Sequence, residues 1–167
     1  MSDKRINLTM IEKTFEIRAS PEEIWSIIAD RQGIPKLQPN VMEVEVDPPG
    51  LASVGQKFTF TYRIWRRKVK VFGEHVEVIP LKMLKSKQLP QGMFKGFEDT
   101  MTLEGFDHRT RVTTILNYQL GLGALGRFLG VLFVNRAIRK DAANYWRNVR
   151  RLAELQGDET AATATLT

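Results

Sequence analysis

From Glu12 to Arg18 the chain alternates, with Lys13, Phe15 and Ile17 on one parity and Glu12, Thr14 and Glu16 on the other, which predicts a strand. A helix start follows. In Ser20-Pro21-Glu22-Glu23 the serine suits the N-cap, proline suits the first helical position, and Glu23 completes a capping box. Ile24, Ile27 and Ile28 give that helix its buried face, and Gly33, Pro35 and Pro39 leave room for at most one short, irregular helix between Asp30 and Leu37. From Val41 the period becomes two, with Met42, Val44 and Val46 opposite Glu43, Glu45 and Asp47. After the turn Asp47-Pro48-Pro49-Gly50 come strand-like runs Lys57–Trp65, Lys68–Ile79, Met83–Leu89, Lys95–Phe106 and Arg111–Leu120. Their links are too short for parallel crossovers, so an antiparallel meander is expected. A last helix is predicted over Ala124–Gln156, where Phe128, Val131, Asn135, Ile138, Ala142, Tyr145, Val149 and Leu152 recur at steps of three and four. Residues 157–167 have no apolar period and are expected to form a flexible tail behind a single domain over 8–156.

A chain of 167 residues is long enough for one substantial core, and its lack of cysteine excludes disulfides, thiol nucleophiles and thiolate metal sites. The start Met-Ser-Asp-Lys-Arg lacks the apolar run of a signal peptide, so a cytoplasmic location is expected.

The order of elements resembles the helix-grip fold of the START-like superfamily, particularly the bacterial polyketide cyclase/dehydrase and lipid-transport family. The resemblance spans roughly residues 8–156. Its carriers are Ile17-Arg18-Ala19-Ser20-Pro21-Glu22-Glu23-Ile24-Trp25, Val76-Glu77-Val78-Ile79-Pro80, Thr110-Arg111-Val112-Thr113, and Leu125-Gly126-Arg127-Phe128 running into Ala137-Ile138-Arg139-Lys140. It implies an α+β fold: a curved seven-stranded antiparallel sheet wrapped around a long C-terminal helix, with one or two short helices after the first strand and an elongated apolar cavity. It implies no particular enzyme, because the superfamily mixes lipid, sterol and quinone binders with a few cyclases. The residue pattern agrees on the cavity: a concave apolar sheet face covered chiefly by one helix leaves space that side chains do not fill.

Several motifs bear on chemistry. Gly121-Leu122-Gly123-Ala124-Leu125-Gly126 matches the dinucleotide fingerprint as a string, with Asp141 at the expected distance. No second parallel strand follows, so it reads as a strand-to-helix hinge and an apolar lip, and no cofactor is expected. His108 sits in a turn between strands. His75 stands where the alternation of its strand changes phase, which suggests a β-bulge and a structural or surface role. Neither has companions for a metal site. Asp99 shares its parity with Phe97, Met101 and Leu103, which turns a carboxylate toward the apolar face. Asn135 interrupts the apolar stripe of the last helix, and Tyr62 and Tyr118 end their apolar faces with hydroxyls. These four are candidates to hold a ligand's polar group. Phe58, Phe60, Phe97, Met101, Leu116, Phe128, Leu132 and Phe133 are candidate core or cavity wall, and Trp25 and Trp146 are expected to pack. Asp99 and Tyr118 are the candidates should the site be catalytic.

Charge is uneven. Residues 1–62 hold seven Lys/Arg against nine Asp/Glu, 63–151 hold eighteen against seven, and 152–167 none against three, within a net +6. One basic cluster surrounds a hairpin (Arg63, Arg66, Arg67, Lys68, Lys70) and another covers the last helix (Arg127, Arg136, Arg139, Lys140, Arg147, Arg150, Arg151). They read as solvated faces first, as contacts for an anionic membrane second, and as nucleic-acid contacts last, since no recognition motif accompanies them. The functional reading is a carrier or binder of a hydrophobic small molecule such as a lipid, quinone, isoprenoid or polyketide. The alternative is a polyketide cyclase, aromatase or dehydratase using acid/base residues in the same cavity.

Overall fold

The computed structural model describes residues 9–64, 66–92, 94–121 and 124–164, with side chains described except at 64, 122–131 and 158–164. Chain order is β1 (Thr9–Ile17), α1 (Pro21–Ile28), a 3-10 turn (Arg31–Gly33), α2 (Ile34–Leu37), β2 (Val41–Asp47), β3 (Lys57–Ile64), β4 (Arg67–Ile79), β5 (Met83–Gln88), β6 (Phe94–Phe106), β7 (Arg109–Leu120) and α3 (Ala124–Ala164). The seven strands form one antiparallel sheet in the order β1-β7-β6-β5-β4-β3-β2, so β2 to β7 make the expected meander and β1 adds to its end. α3 runs to Ala164, past the expected end at Gln156: without proline or an αL cap, nothing in Gly157-Asp158-Glu159 forces the helix to stop.

The capping box forms as read. Ser20 Oγ accepts the Glu23 amide, and the Glu23 carboxylate accepts the Ser20 amide at 2.7 Å. The 3-10 turn is opened by Asp30, whose Oδ1 accepts the Gln32 amide, and α2 ends at Leu37, where the short helix was placed. A register shift between His75 and Glu77 in the pairing of β4 with β5 is the expected bulge. It lies after His75, and Phe72, which precedes it, points outward and is exposed.

Alternation gives the sheet one buried face. Along β7 it is Thr110, Val112, Thr114, Leu116, Tyr118 and Leu120; along β6 it is Asp99, Met101 and Leu103. Among the described residues the helix lies chiefly along α1, α2 and β1. Its buried positions Tyr145, Trp146, Val149 and Ala153 pack with Ile24, Trp25 and Ile28 of α1. Asn148 adds a side-chain bond to the Leu37 carbonyl at 2.8 Å, clamping this stretch of α3 to α2. Trp25 and Trp146 are both buried, as expected, and Trp146 meets Phe15 edge-on at 5.2 Å.

Candidate functional site

Strand register places a polar row across the buried face. His75 of β4 stands opposite Ser86 of β5, Ser86 opposite Asp99 of β6, Asp99 opposite Leu116 of β7, and Leu116 opposite Ile11 of β1. The row is thus polar toward β4 and apolar toward β1. His75 and Ser86 are fully buried, and Asp99 is 8% exposed.

Arg31, from the 3-10 turn, inserts its side chain over this row and is only 4% exposed. Its Nε donates to His75 Nε2 at 3.1 Å and its Nη2 donates to Ser86 Oγ at 2.7 Å. Because His75 Nε2 accepts, Nδ1 carries the proton and donates to Ser86 Oγ at 2.9 Å. Ser86 therefore accepts twice, and its own hydroxyl proton is left for another acceptor. The guanidinium also lies over the Phe58 ring at 5.2 Å, and Phe58 stacks on Phe60 at 4.7 Å between ring centres.

Burial sets the titration of this cluster. It lowers His75 to about 3, with the Arg31 charge acting in the same direction. It raises Asp99 to about 6, and Arg31 only partly offsets the cost of taking the carboxylate out of water. The hydroxyls of Tyr62 and Tyr145 are held above their ordinary value, again by burial first, and both sense Arg31 and Asp99. Tyr145 rises to about 12, and its buried hydroxyl has no hydrogen-bond partner among the described residues. No side chain among the described residues donates a hydrogen bond to Asp99. These groups form an enclosed polar end with a donor on Ser86, an unpartnered hydroxyl on Tyr145 and a carboxyl poised to bind or release a proton.

The four polar candidates do not converge in one place. Asp99 and Tyr62 join Arg31, His75, Ser86 and Tyr145, whereas the Tyr118 hydroxyl donates to Asn135 Oδ1 at 2.5 Å. Tyr118 belongs to a second buried cluster with Ile11, Leu116 and Leu120, against which Phe94, Phe97, Val134 and Ile138 pack. Phe97 stacks on Tyr118 at 6.4 Å, and Met101 is buried next to Asp99 along β6. Leu132 and Phe133 are 59% and 73% exposed, so neither lines the buried face. The Phe128 side chain and residues 122 and 123 of the hinge lie outside the described residues, and Ala124 already opens α3. Arg31, Ser86 and Tyr145 were missed as site residues. Ser86 was legible, since it shares the parity of buried Leu84, and Tyr145 stood in the apolar stripe; an arginine in a turn carries no periodic signal.

Other groupings carry less. A surface cleft of about 400 Å³ is lined by Glu16, Arg18, Arg109, Arg150 and Glu154, but Glu16 already pairs with Arg109 and Arg111 there. Among the described residues no group of three or more His, Asp or Glu is placed to hold a metal ion. Asp141 is exposed in mid-helix rather than at the end of a second parallel strand, and among the described residues no strand follows α3.

Known structures share this architecture. The Zhui aromatase/cyclase from Streptomyces sp. R1128 is 14% identical with a TM-score of 0.75, covering 89% of this chain and 94% of that one. A START superfamily protein from Mycobacterium smegmatis is 14% identical with a TM-score of 0.70, covering 88% and 98%. The di-domain aromatase/cyclase StfQ of the steffimycin biosynthetic pathway is 13% identical with a TM-score of 0.79; the match covers 93% of this chain and 54% of that one. At these identities the likeness is one of fold, a helix-grip arrangement of a seven-stranded antiparallel sheet and a long C-terminal helix. No curated protein sequence matches the chain. The family model for polyketide cyclase/dehydrase and lipid transport matches residues 9–154, nearly the whole described fold, and the chain belongs to that family.

Proposed function

We propose that the chain binds a hydrophobic small molecule between the sheet and α3, with the molecule's polar group held at the Asp99–Ser86–Tyr145 end. The observation that carries this is the Tyr145 hydroxyl, buried without a partner among the described residues beside Asp99 and the Arg31-anchored row. An orphaned buried hydroxyl costs stability, and a ligand carrying a hydroxyl or carbonyl group offsets that cost. The apolar row from Leu116 to Ile11 continues the same face and suits a hydrocarbon body. Transport follows if the ligand is taken from a lipid surface, with the basic residues as the contact.

Titration of the full chain with an environment-sensitive apolar probe, alongside mass spectrometry of protein extracted under native conditions, tests the reading. Binding is expected, weakened by Tyr145→Phe and Asp99→Asn while fold and melting are retained. No copurifying molecule and no uptake of any apolar probe would sink it.

A second reading, cyclase or dehydratase chemistry, is favoured by one observation: Asp99, at about 6, exchanges its proton near neutral pH next to tyrosine hydroxyls. In that case Tyr145 replaces Tyr118 as its partner, since Tyr118 is committed to Asn135. Turnover of a polyketide-like substrate unchanged in Asp99→Asn excludes this role.

A further inference from the structure

The outward stripe of α3 takes no part in the site. At about 100° per residue, Leu132, Phe133, Arg136, Lys140, Arg147 and Arg151 fall within an arc of about 100°, opposite the buried Tyr145 and Val149. All six are exposed. Between Ala124 and Arg151 the helix has one acidic residue, Asp141, and it lies off this arc. The stripe is about 30 Å long from Leu132 to Arg151.

Two features separate it from an ordinary solvated face. The first is charge pairing. On the sheet, Lys68, Lys70, Lys85, Arg109 and Arg111 are each paired with a glutamate. Among the described residues Arg136, Lys140, Arg147 and Arg151 make no ion pair with a carboxylate. The hairpin cluster is therefore partly neutralised, whereas these four helix cations have no such partner among the described residues. The second is the exposed apolar pair at one end, Leu132 at 59% and Phe133 at 73%. Water disfavours that pair, and an acidic polymer has no use for it.

We infer that this face of α3 docks on an anionic lipid bilayer, with Leu132 and Phe133 entering the acyl boundary and Arg136, Lys140 and Arg147 lying at the level of the phosphates. A helix with apolar residues beside unpaired cations sits in the interface plane in this way. No helix among the described residues is long and apolar enough to cross a membrane, so the contact is peripheral. The inference takes up the lipid surface of the reading above, but docking does not require a filled pocket.

Flotation of the full chain with phosphatidylglycerol-containing vesicles, with pure phosphatidylcholine vesicles as the comparison, tests it at low and high salt. Binding is expected only to the anionic vesicles and is suppressed by salt. Each cation removed in the series Arg136→Ser, Lys140→Ser, Arg147→Ser weakens it about fivefold, whereas Lys68→Ser with Lys70→Ser leaves it unchanged. The chain has no cysteine, so Phe133→Cys takes a single polarity-sensitive dye, and its emission is expected to shift to the blue on anionic vesicles. Equal binding to both vesicle types, wild-type flotation by the triple variant, or binding to polyanions with no dye shift overturns the proposal. Apolar-probe uptake is measured on the same variants. Vesicle binding lost with uptake intact leaves the pocket reading standing, and the converse result leaves the docking face standing.

Discussion

Asp99 and His75 are buried in one polar row, yet their titrations pull stability in opposite directions. The folded state holds the Asp99 proton up to about 6, against an ordinary value of 3.8, so this group stabilises most at acid pH and its contribution is lost as pH rises from about 4 to 6. His75 is lowered from 6.5 to about 3, so the unfolded chain takes its proton first and stability is lost as pH falls through that window. Between about 4 and 6 the two slopes cancel. Denaturant midpoints of the wild type are expected to be nearly flat there. In Asp99→Asn the unfolding free energy from the same curves is expected to rise with pH by up to about 1.4 kcal/mol per unit, the histidine's effect unmasked. A flat profile in that variant would show that His75 is protonated in the fold. Asp99 was legible from parity alone because the period of a strand fixes which face a side chain takes. Arg31 was not, because its partners His75 and Ser86 lie 44 and 55 residues away, and no local rule reports a pairing of that separation.

Elements were read more fully than their contacts. Capping chemistry, proline and glycine placement and the switch from period 3.6 to period 2 are local signals, and they located α1, α2 and the strands closely. Losing the cap through Ser20→Ala is expected to cost about 1 kcal/mol, measured by chemical denaturation, with little effect on probe binding. Gly73 is a sharper test. A Cβ there stands 2.5 Å from the Phe58 ring and 2.9 Å from the Lys87 carbonyl oxygen, one of which is backbone and unable to yield. Gly73→Ala is therefore expected to destabilise by about 1–3 kcal/mol and to displace Phe58 from beneath Arg31. Probe affinity should fall along with the melting temperature, in contrast to Ser20→Ala. Equal losses in the two variants would detach Phe58 from the site. The split of Tyr118 and Asn135 from Asp99 was beyond periodicity, since a stripe says which face a residue occupies and not which neighbour it meets.

For the whole molecule, ligand binding and folding are linked. A ligand at one hundred times its Kd adds about 2.7 kcal/mol, and with the pocket as proposed the added protection from hydrogen exchange is expected at Arg31–Gly33, Tyr145 and β5–β6. Protection confined to the outward-facing hairpin of β3 and β4 would place the ligand elsewhere. The overall architecture was legible because hydrophobic periods decide which surfaces must meet, while the identity of what fills the space between them is not written in any period.

The clamping of α3 has a mechanical consequence. Tyr145, Trp146, Val149 and Ala153 are buried against α1, whereas Val134, Ile138 and Ala142 are only half-buried. Among the described residues the helix is thus a cantilever, fixed over its later turns and less deeply held from Val134 to Ala142, where the Tyr118–Asn135 bond is its one side-chain tie. Its opening free energy is graded along its length: amides near Ile138 are expected to exchange faster than those near Val149, and uniform exchange would show the helix detaching as one rod. The loosely held arm carries Leu132 and Phe133, so a bilayer gripping that end would pull where the fold resists least.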